Sequence, residues 1–565
     1  MSGADKNALI WSRWRGSREG GVWLIASAIS LSLVLVLGMI LLLAVRGMGY
    51  FWPSEIIAFE YREYREDPWM PVQGEVVGRE DVIAAQLISA GYELESDQGT
   101  VERWLIKVGN RDVGPSDFLW VLRQHTRALK VPEDVAVIER LEWGNFYGTI
   151  SELHRGDERI GRAQDGSEAL MDALRESIER AEALRIQVRE IEKHDIGTIN
   201  AALNALRLEE RGLNLRGEWS PEHAARLERA RQVQQQAFEQ LSGQIAELRE
   251  QLMRDSISVV DAEGARHEIE LEQIVRVLVP NRMGVFSKLA AYLERIWEFL
   301  SDEPREANTE GGIFPALFGT VIMVLLMTIF VTPGGVIAAI YLREYAHQGM
   351  LTRIVRIAIN NLAGVPSIVY GIFGLGFFVY FVGGEIDEVF YSENLPAPTF
   401  GSPGLVWASL TLALLSLPVV VVATEEGLAR VPKSMAEGSY ALGATQFEML
   451  RTVLMPIISP AIMTGLILAI ARAAGEVAPL MLVGAVKLAP SLPVDFTFPF
   501  VHLDRQFMHL GFHIYDVGFQ SPNVEAAQPL VYATAFLLVL IIIVLNLLAI
   551  QIRNNLREQY RSLES

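Results

Sequence analysis

Residues Glu437–Pro456 read EGSYALGATQFEMLRTVLMP and lie between two hydrophobic segments, 401–424 and 459–485. The stretch is polar and amphipathic, with Gly443 six residues after Glu437 and Pro456 thirteen residues after that glycine. This pattern predicts a short helix, a turn at Gly443 and a second helix that stops before Pro456, because proline has no N–H to donate inside a helix. A polar helix–turn–helix between apolar segments has two readings. It is an amphipathic loop resting on a membrane surface, or it is a docking element for a separate soluble protein.

The chain around this stretch is apolar. Half of its 565 residues are hydrophobic and its mean hydropathy is +0.24, too apolar for an ordinary soluble enzyme. Cysteine is absent, which excludes disulfides, thiolate metal sites and a cysteine nucleophile. Residues 51–312 hold 50 acidic and 32 basic residues, an excess of 18 within a net charge of −19. The acidity thus belongs to one polar region, and it argues against nucleic-acid binding.

Six uncharged or nearly uncharged runs reach membrane-spanning length. The first, Val22–Val45, follows Lys6, Arg13, Arg15 and Arg18. The rival reading is a cleaved signal peptide, but no small-x-small cleavage site follows. An uncleaved span is expected, with Tyr50, Phe51 and Trp52 at its interface. The others are Ile313–Leu342, interrupted by Pro333-Gly334-Gly335 and so expected to kink or break, then Ile357–Gly384, 401–424, 459–485 and about 526–552. Lys and Arg number 4, 3, 3 and 3 in the N-terminus and in 343–356, 425–458 and 553–565, against 0 and 2 in 385–400 and 486–525. The positive-inside rule then places both termini and the Glu437 loop in the cytoplasm and 51–312 outside it.

Residues 51–312 read as a mixed α/β insertion. Trp104–Val108 has strand character and 116–129 reads as a helix. Leu184, Val188 and Ile191, then Ile199, Leu203 and Leu206, then Leu241, Ile245, Leu248 and Leu252 keep helical spacing. Ser220-Pro221 supplies an N-cap and a first-turn proline, so an antiparallel helical hairpin over 167–211 and 221–254 is expected. It is either an extended coiled coil or an ordinary two-helix packing unit. Ile257–Val260 and His267–Leu271 flank Asp261-Ala262-Glu263-Gly264, a β-hairpin pattern. An amphipathic helix within 280–310 leads back to the membrane.

The 437–456 stretch resembles the "EAA" loop of ABC-importer permeases, E-A-A-x3-G-x9-I-x-L-P, through Glu437, Gly443, Val453, Met455 and Pro456, with Gly438 and Ser439 in place of the alanines. Gly311–Thr320, Ala339–Tyr345, Gly364–Gly371 (GVPSIVYG) and Ala471–Leu480 (ARAAGEVAPL) extend the likeness. Together they resemble the PstA family of phosphate permeases, in a long form carrying an extra N-terminal domain. The resemblance implies a membrane α-helical, type I importer fold of six transmembrane helices. It implies three parts: 1–50 with the first helix, an extracytoplasmic insertion 51–312, and a permease core 313–565 with a cytoplasmic loop 425–458. It further implies a bacterial inner-membrane subunit that carries inorganic phosphate with no cofactor. The implied partners are a cytoplasmic ATP-binding subunit, a second homologous PstC-like permease, an extracytoplasmic phosphate-binding protein and membrane lipid. Glu437, Gly438, Gly443 and Pro456 would couple to the ATPase.

Within the apolar fifth segment, Arg472 and Glu476 are four residues apart and are expected to share a helix face. Charge at membrane depth is costly and marks a cavity or a partner. The pair is either a structural bridge or a substrate-pathway site, where the planar fork of Arg472 suits a phosphate oxyanion. Asn360 and Asn361 either line the route or hydrogen-bond between helices, the second being favoured. His502, His509, His513, Asp504 and Asp516 are spaced loosely for a metal and read as solvated loop residues. No G-x4-G-K-[ST] loop is present, so ATP hydrolysis is expected in another subunit. Alternative functions are transport of molybdate or sulfate, and a permease-like sensor that uses the insertion.

Overall fold

The computed structural model describes residues 18–564, apart from 65, 90, 93, 95–98, 115, 157, 163–166 and 522–523. The expectations for Lys6, Arg13 and Arg15 lie outside these residues. Among the described residues six helices are long and apolar enough to cross a membrane. They are span one (Gly21–Gly49), span two (Phe314–Tyr345), span three (Ser367–Phe390), span four (Leu405–Arg430), span five (Gln446–Gly475) and span six (Ala527–Glu558).

Span four is the centre of the bundle and packs most closely on spans two and five. Small residues make this possible. A Cβ at Gly335 would sit 2.9 Å from the Cβ of Val420, and Cβ atoms at Gly427 and Gly465 would each sit 2.6 Å from an alanine of the facing helix. Such close backbone approach is how helices associate where lipid removes the hydrophobic drive between them. The shared core holds Met323, Met327, Leu412, Leu415, Leu466 and Ala469. Span one touches the bundle near its C-terminal end, where Gly47 abuts Ala533 of span six. Val22–Val36 of span one is exposed.

Three boundaries differ from expectation. Span two does not break at Pro333-Gly334-Gly335; one helix runs from Phe314 to Ile340, and Gly335 serves packing against Val420. Span three begins at Ser367 rather than Ile357, because Met350–Leu362 is a separate amphipathic helix closed by a turn before Pro366. A residue preceding proline avoids the helical region, which makes that turn a boundary. Span five does not stop before Pro456. A widened turn at Leu450–Leu454, in which Met455 donates to the carbonyl of Leu450 five residues back, carries the helix through Pro456 and Pro460 to Gly475.

Among the described residues the insertion holds two larger antiparallel sheets, a two-stranded ribbon pairing Pro304–Arg305 with Glu310–Gly311, and a helical hairpin. The first sheet has strand order β4-β3-β2-β1-β5, from β1 (Ile56–Tyr61), β2 (Met70–Ile83), β3 (Thr100–Lys107), β4 (Phe118–Leu122) and β5 (Thr126–Lys130). The segment 116–129 is therefore not one helix but two strands joined by a single 3-10 turn at Arg123–His125. Trp104 pairs with Val121 and Tyr61 with Thr126, and such cross-strand partners override local helix propensity. The second sheet runs β10-β9-β7-β6-β11, with β8 beside β7. Its members are β6 (Ala136–Arg140), β7 (Phe146–Arg155), β8 (Glu158–Arg162), β9 (Asp255–Val260), β10 (Arg266–Glu270) and β11 (Ile274–Leu278). The expected hairpin around Asp261–Gly264 is β9–β10.

The helical hairpin runs up through Ser167–Leu215 and returns as Pro221–Met253. Ser220 caps the return helix by accepting from the N–H of His223, with Pro221 in the first turn. Leu170, Leu174, Val188, Ile245 and Leu252 pack on Ile150, Leu153 and Ile257 of the second sheet. Further out, Glu209–Arg226 and Glu210–Arg231 ion pairs tie the two helices together.

A helix over Val285–Ser301 leads back toward span two. Phe299 packs against Phe51, ring centroids 5.1 Å apart and planes tilted by 55°, and joins Ile313, Met508, Val517 and Leu530 in one apolar cluster between insertion and bundle. Beside it lies a chamber of about 990 Å³, lined on the insertion side by Lys107, Arg295, Arg305 and Glu306 and on the bundle side by Lys487 and Asp516. Several of its ionic groups are paired: Lys107 with Glu310 at 3.4 Å, Arg111 with Glu306 at 2.6 Å, and Arg295 with Glu139. Burial pushes the Glu139 carboxyl up, but Arg295 and Arg276 outweigh burial and hold it at about 2.

Candidate functional site

The turn at Gly443 is built by local rules. Lys433–Ala441 is helical, Gly443 takes φ +84°, and the next helix begins at Gln446. A positive φ is free to glycine and strained for residues with a Cβ. Thr445 and Glu448 then form a capping box. The Thr445 hydroxyl accepts from the N–H of Glu448, and the Glu448 carboxylate accepts from the N–H of Thr445 at 2.8 Å. Thr-x-x-Glu at 445–448 is the direct sequence signal of this pair, which the pattern of helix, turn and helix alone does not give. Gln446 also donates to the Glu344 carbonyl at 3.3 Å, fastening the turn to the end of span two.

Glu437, Gly438 and Gly443 lie together on the exposed side of this turn, with open space around both glycines. Leu442 is 91% exposed and Phe447 65% exposed. Two apolar side chains thus project from a polar turn. Pro456 does not belong to it. It sits inside span five, past the widened turn, and is half-buried.

Arg472 and Glu476 meet, but not on one helix face. The helix ends at Gly475, and Glu476 is extended at φ −82°, ψ 126°. Its side chain folds back so that Oε1 lies 3.4 Å from Arg472 Nε. The Arg472 side chain is 32% exposed, and among the described residues Glu476 is its one hydrogen-bonding or ionic partner. Both terminal nitrogens of the guanidinium fork thus remain available to a second oxyanion. The segment after Glu476 wedges between helices: a Cβ at Gly371 of span three would meet Pro479 at 2.7 Å, and one at Gly511 would meet Val477 at 2.6 Å. Asn360 and Asn361 are exposed on the amphipathic helix before span three. Among the described residues their side chains make no hydrogen bond to another helix, contrary to the favoured reading.

The histidines between spans five and six differ from expectation most. They are not solvated. His509 and His513 are buried, as is Asp516. They belong to a short helix, Leu510–Tyr515, and its widened continuation to Gln520. Thr320 of span two accepts the N–H of Leu510 at 2.9 Å, and Gly319 allows the backbone of Met508 to press against span two. His502 instead closes a hairpin. It donates to Asp495 at 2.9 Å, beside Arg505, while Phe496 and Phe498 project from the tip. Among the described residues no three His, Cys, Asp or Glu side chains come close enough to hold a metal ion.

Residues 331–561 match the family of binding-protein-dependent transport system inner membrane components. The chain is 30% identical over 259 residues to the "Probable ABC transporter permease protein YqgI" of Bacillus subtilis, covering 45% of this chain and 81% of that protein. It is 32% identical over 252 residues to the phosphate transport system permease protein PstA of Yersinia pestis, covering 44% and 75%. Against YqgH of Bacillus subtilis it is 32% identical over 202 residues, which is 35% of this chain and 62% of that relative. The matched family segment opens within span two and runs through span six, taking in the Gly443 turn and the Arg472–Glu476 pair. The chain is a membrane-spanning, PstA-like member of the ABC transporter permeases, with a mixed α/β region joined before its second span.

Proposed function

We propose that this permease subunit carries inorganic phosphate across a bacterial inner membrane, driven by a separate ATP-hydrolysing subunit seated on the Gly443 turn. The observation that carries the reading is the turn itself: an ordered, capped helix–turn–helix with Glu437, Gly438, Leu442 and Phe447 exposed. ATP binding and hydrolysis would move this turn, and span five would carry the motion toward Arg472, on the same continuous helix. Phosphate as substrate is supported by the named role of the PstA relatives and by the available fork of Arg472. The three-part layout, 1–50, 51–312 and 313–565, belongs to this reading. So does an orientation with the insertion outside, supported by the Lys/Arg asymmetry of the loops. An extracytoplasmic phosphate-binding protein and a second, PstC-like permease would complete the assembly.

Radiolabelled phosphate uptake in a strain lacking the gene, with and without the restored chain, tests the substrate. Restored phosphate uptake is expected, with little effect of excess molybdate or sulfate. Restored uptake of either rival anion without phosphate uptake would sink it. For orientation, a reporter active only in the cytoplasm, fused near residue 200, should remain dark.

A further inference from the structure

The junction between insertion and bundle contains a buried polar cluster that the transport reading does not use. Asn308, buried in the insertion, donates its side-chain amide to the backbone carbonyl of Lys487 at 2.8 Å. The Lys487 ammonium lies 3.1 Å from Asp516 Oδ2, close enough to pair but not aligned for a hydrogen bond. One helical turn before Asp516 stands His513, 4% exposed, with both ring nitrogens lacking a partner. His509, a further turn back, accepts from the Gly511 N–H through Nδ1 and leaves Nε2 unpartnered.

A buried imidazole with no partner costs far less while it is neutral than when it is charged. Among the described residues, Ala316, Leu317 and Thr320 of span two, Ile313 just before it, and Ala527, Leu530 and Val531 of span six adjoin this helix. Asp516 and Lys487 are the charges that act on His513. Asp302, Arg305 and Glu306 of the insertion line the adjoining chamber, on which Lys487 and Asp516 open.

We propose that His513, Asp516 and Lys487 form an acid-released latch between the insertion and the membrane bundle. A proton on His513 creates a second cation beside Asp516. It competes with Lys487 for that carboxylate and brings charge into the apolar cluster around Phe299 and Leu530. Lys487 is freed, and with it the loop whose carbonyl holds Asn308. The junction then opens toward the chamber. Burial holds His513 down to about 4, with Asp516 opposing and Lys487 adding, and holds His509 down to about 3. An opened, hydrated His513 returns to about 6.5. The latched state therefore binds fewer protons than the open state. It is favoured above about pH 6.5 and loses ground as the pH falls toward about 4. At about pH 5 the ratio of latched to open falls about 30-fold for His513 alone.

The test is amide hydrogen exchange of the full chain in nanodiscs at about pH 7.5 and about pH 5, each rate divided by its intrinsic value. Residues 304–311 and 485–489 should exchange about 30-fold faster at the lower pH, while 255–260 in the second sheet keep their protection. Unchanged protection of the junction in the wild-type chain overturns the latch, whether or not any variant folds. Loss of protection in both regions also overturns it, since that is general acid unfolding. His513→Gln, neutral at both pH values, should abolish most of the acid response; a full response in that variant rules out His513 as its source.

Discussion

Asn308 and Lys487 are 179 residues apart in sequence, and one hydrogen bond of 2.8 Å between side-chain amide and backbone carbonyl fastens the insertion to the loop after span five. Asn308 is buried and sits at φ +78°, a conformation that asparagine and glycine tolerate better than other residues. Asn308→Gly keeps that freedom and removes the amide, leaving the Lys487 carbonyl without its donor. The expected cost is about 1–3 kcal/mol. It should appear as faster hydrogen exchange at 485–489 with little change in the hairpin helices. Asn308→Ala adds strain at positive φ and should cost more; equal protection in all three proteins would remove this bond from the account.

Gly443 sets the second prediction. Nothing lies within 4 Å of the position where its Cβ would stand, so Gly443→Val meets no clash inside this chain. Its local effect is strain at φ +84°, about 1–2 kcal/mol for one residue. Membrane insertion and thermal stability should therefore change little. If a separate ATPase seats on this turn, its co-purification and the uptake it drives should fall together, at least about tenfold for a loss of about 1.4 kcal/mol at the interface. Unimpaired co-purification and uptake would count against the turn as the coupling surface.

The spans and the turn were legible because their signals are local. Uncharged runs such as Val22–Val45, and Gly443 between two helical patterns, require no tertiary knowledge. The errors arose where neighbours decide. Phe118–Lys130 has helical residues but lies between strand partners such as Trp104 and Tyr61. The six apolar and polar residues Ile357–Leu362 merged with span three because one turn before Pro366 separates them. Pro456 reads as a stop, yet a widened turn absorbs it. His509 and His513 read as loop residues because their burial depends on span two and span six, more than a hundred residues away in one case. Arg472 and Glu476 were found from charge within an apolar run, though the helix ends between them.

Asp495 gives a pH-dependent prediction. It accepts from Arg505, His502 and the N–H of Thr497, and so pins the hairpin that carries Phe496 and Phe498. Burial alone would raise its carboxyl, but these bonds outweigh burial and hold it at about 2, below the ordinary 3.8. A depressed carboxylate stabilises the fold above its unfolded value and loses that contribution as the pH falls through its folded value. Ordering of 493–502 should therefore persist at neutral pH and fade between about pH 4 and pH 2. Asp495→Asn should show faster exchange in 493–502 at neutral pH, with no further loss in that acid window. A wild-type acid profile in the variant would place the titration elsewhere.

Arg472 offers the sharpest division between a bridge and a substrate path. Arg472→Gln keeps an extended polar side chain and removes the charge. If the guanidinium attracts phosphate, uptake should collapse while expression and assembly survive. If the pair only holds the end of span five to the next segment, loss of Arg472 leaves the Glu476 carboxylate half-buried and unpaired, and stability should fall instead. The reversed pair, Arg472→Glu with Glu476→Arg, separates these outcomes. Because Glu476 already lies outside the helix and folds back onto Arg472, reversal can remake the 3.4 Å contact without a shared helix face. A bridge tolerates that exchange. A pathway does not, since the cation moves from the last helical turn to an extended residue and its fork no longer presents the same two nitrogens. Phosphate uptake should remain lost in the reversed pair even where thermal stability recovers; recovery of uptake would assign Arg472 and Glu476 to structure alone.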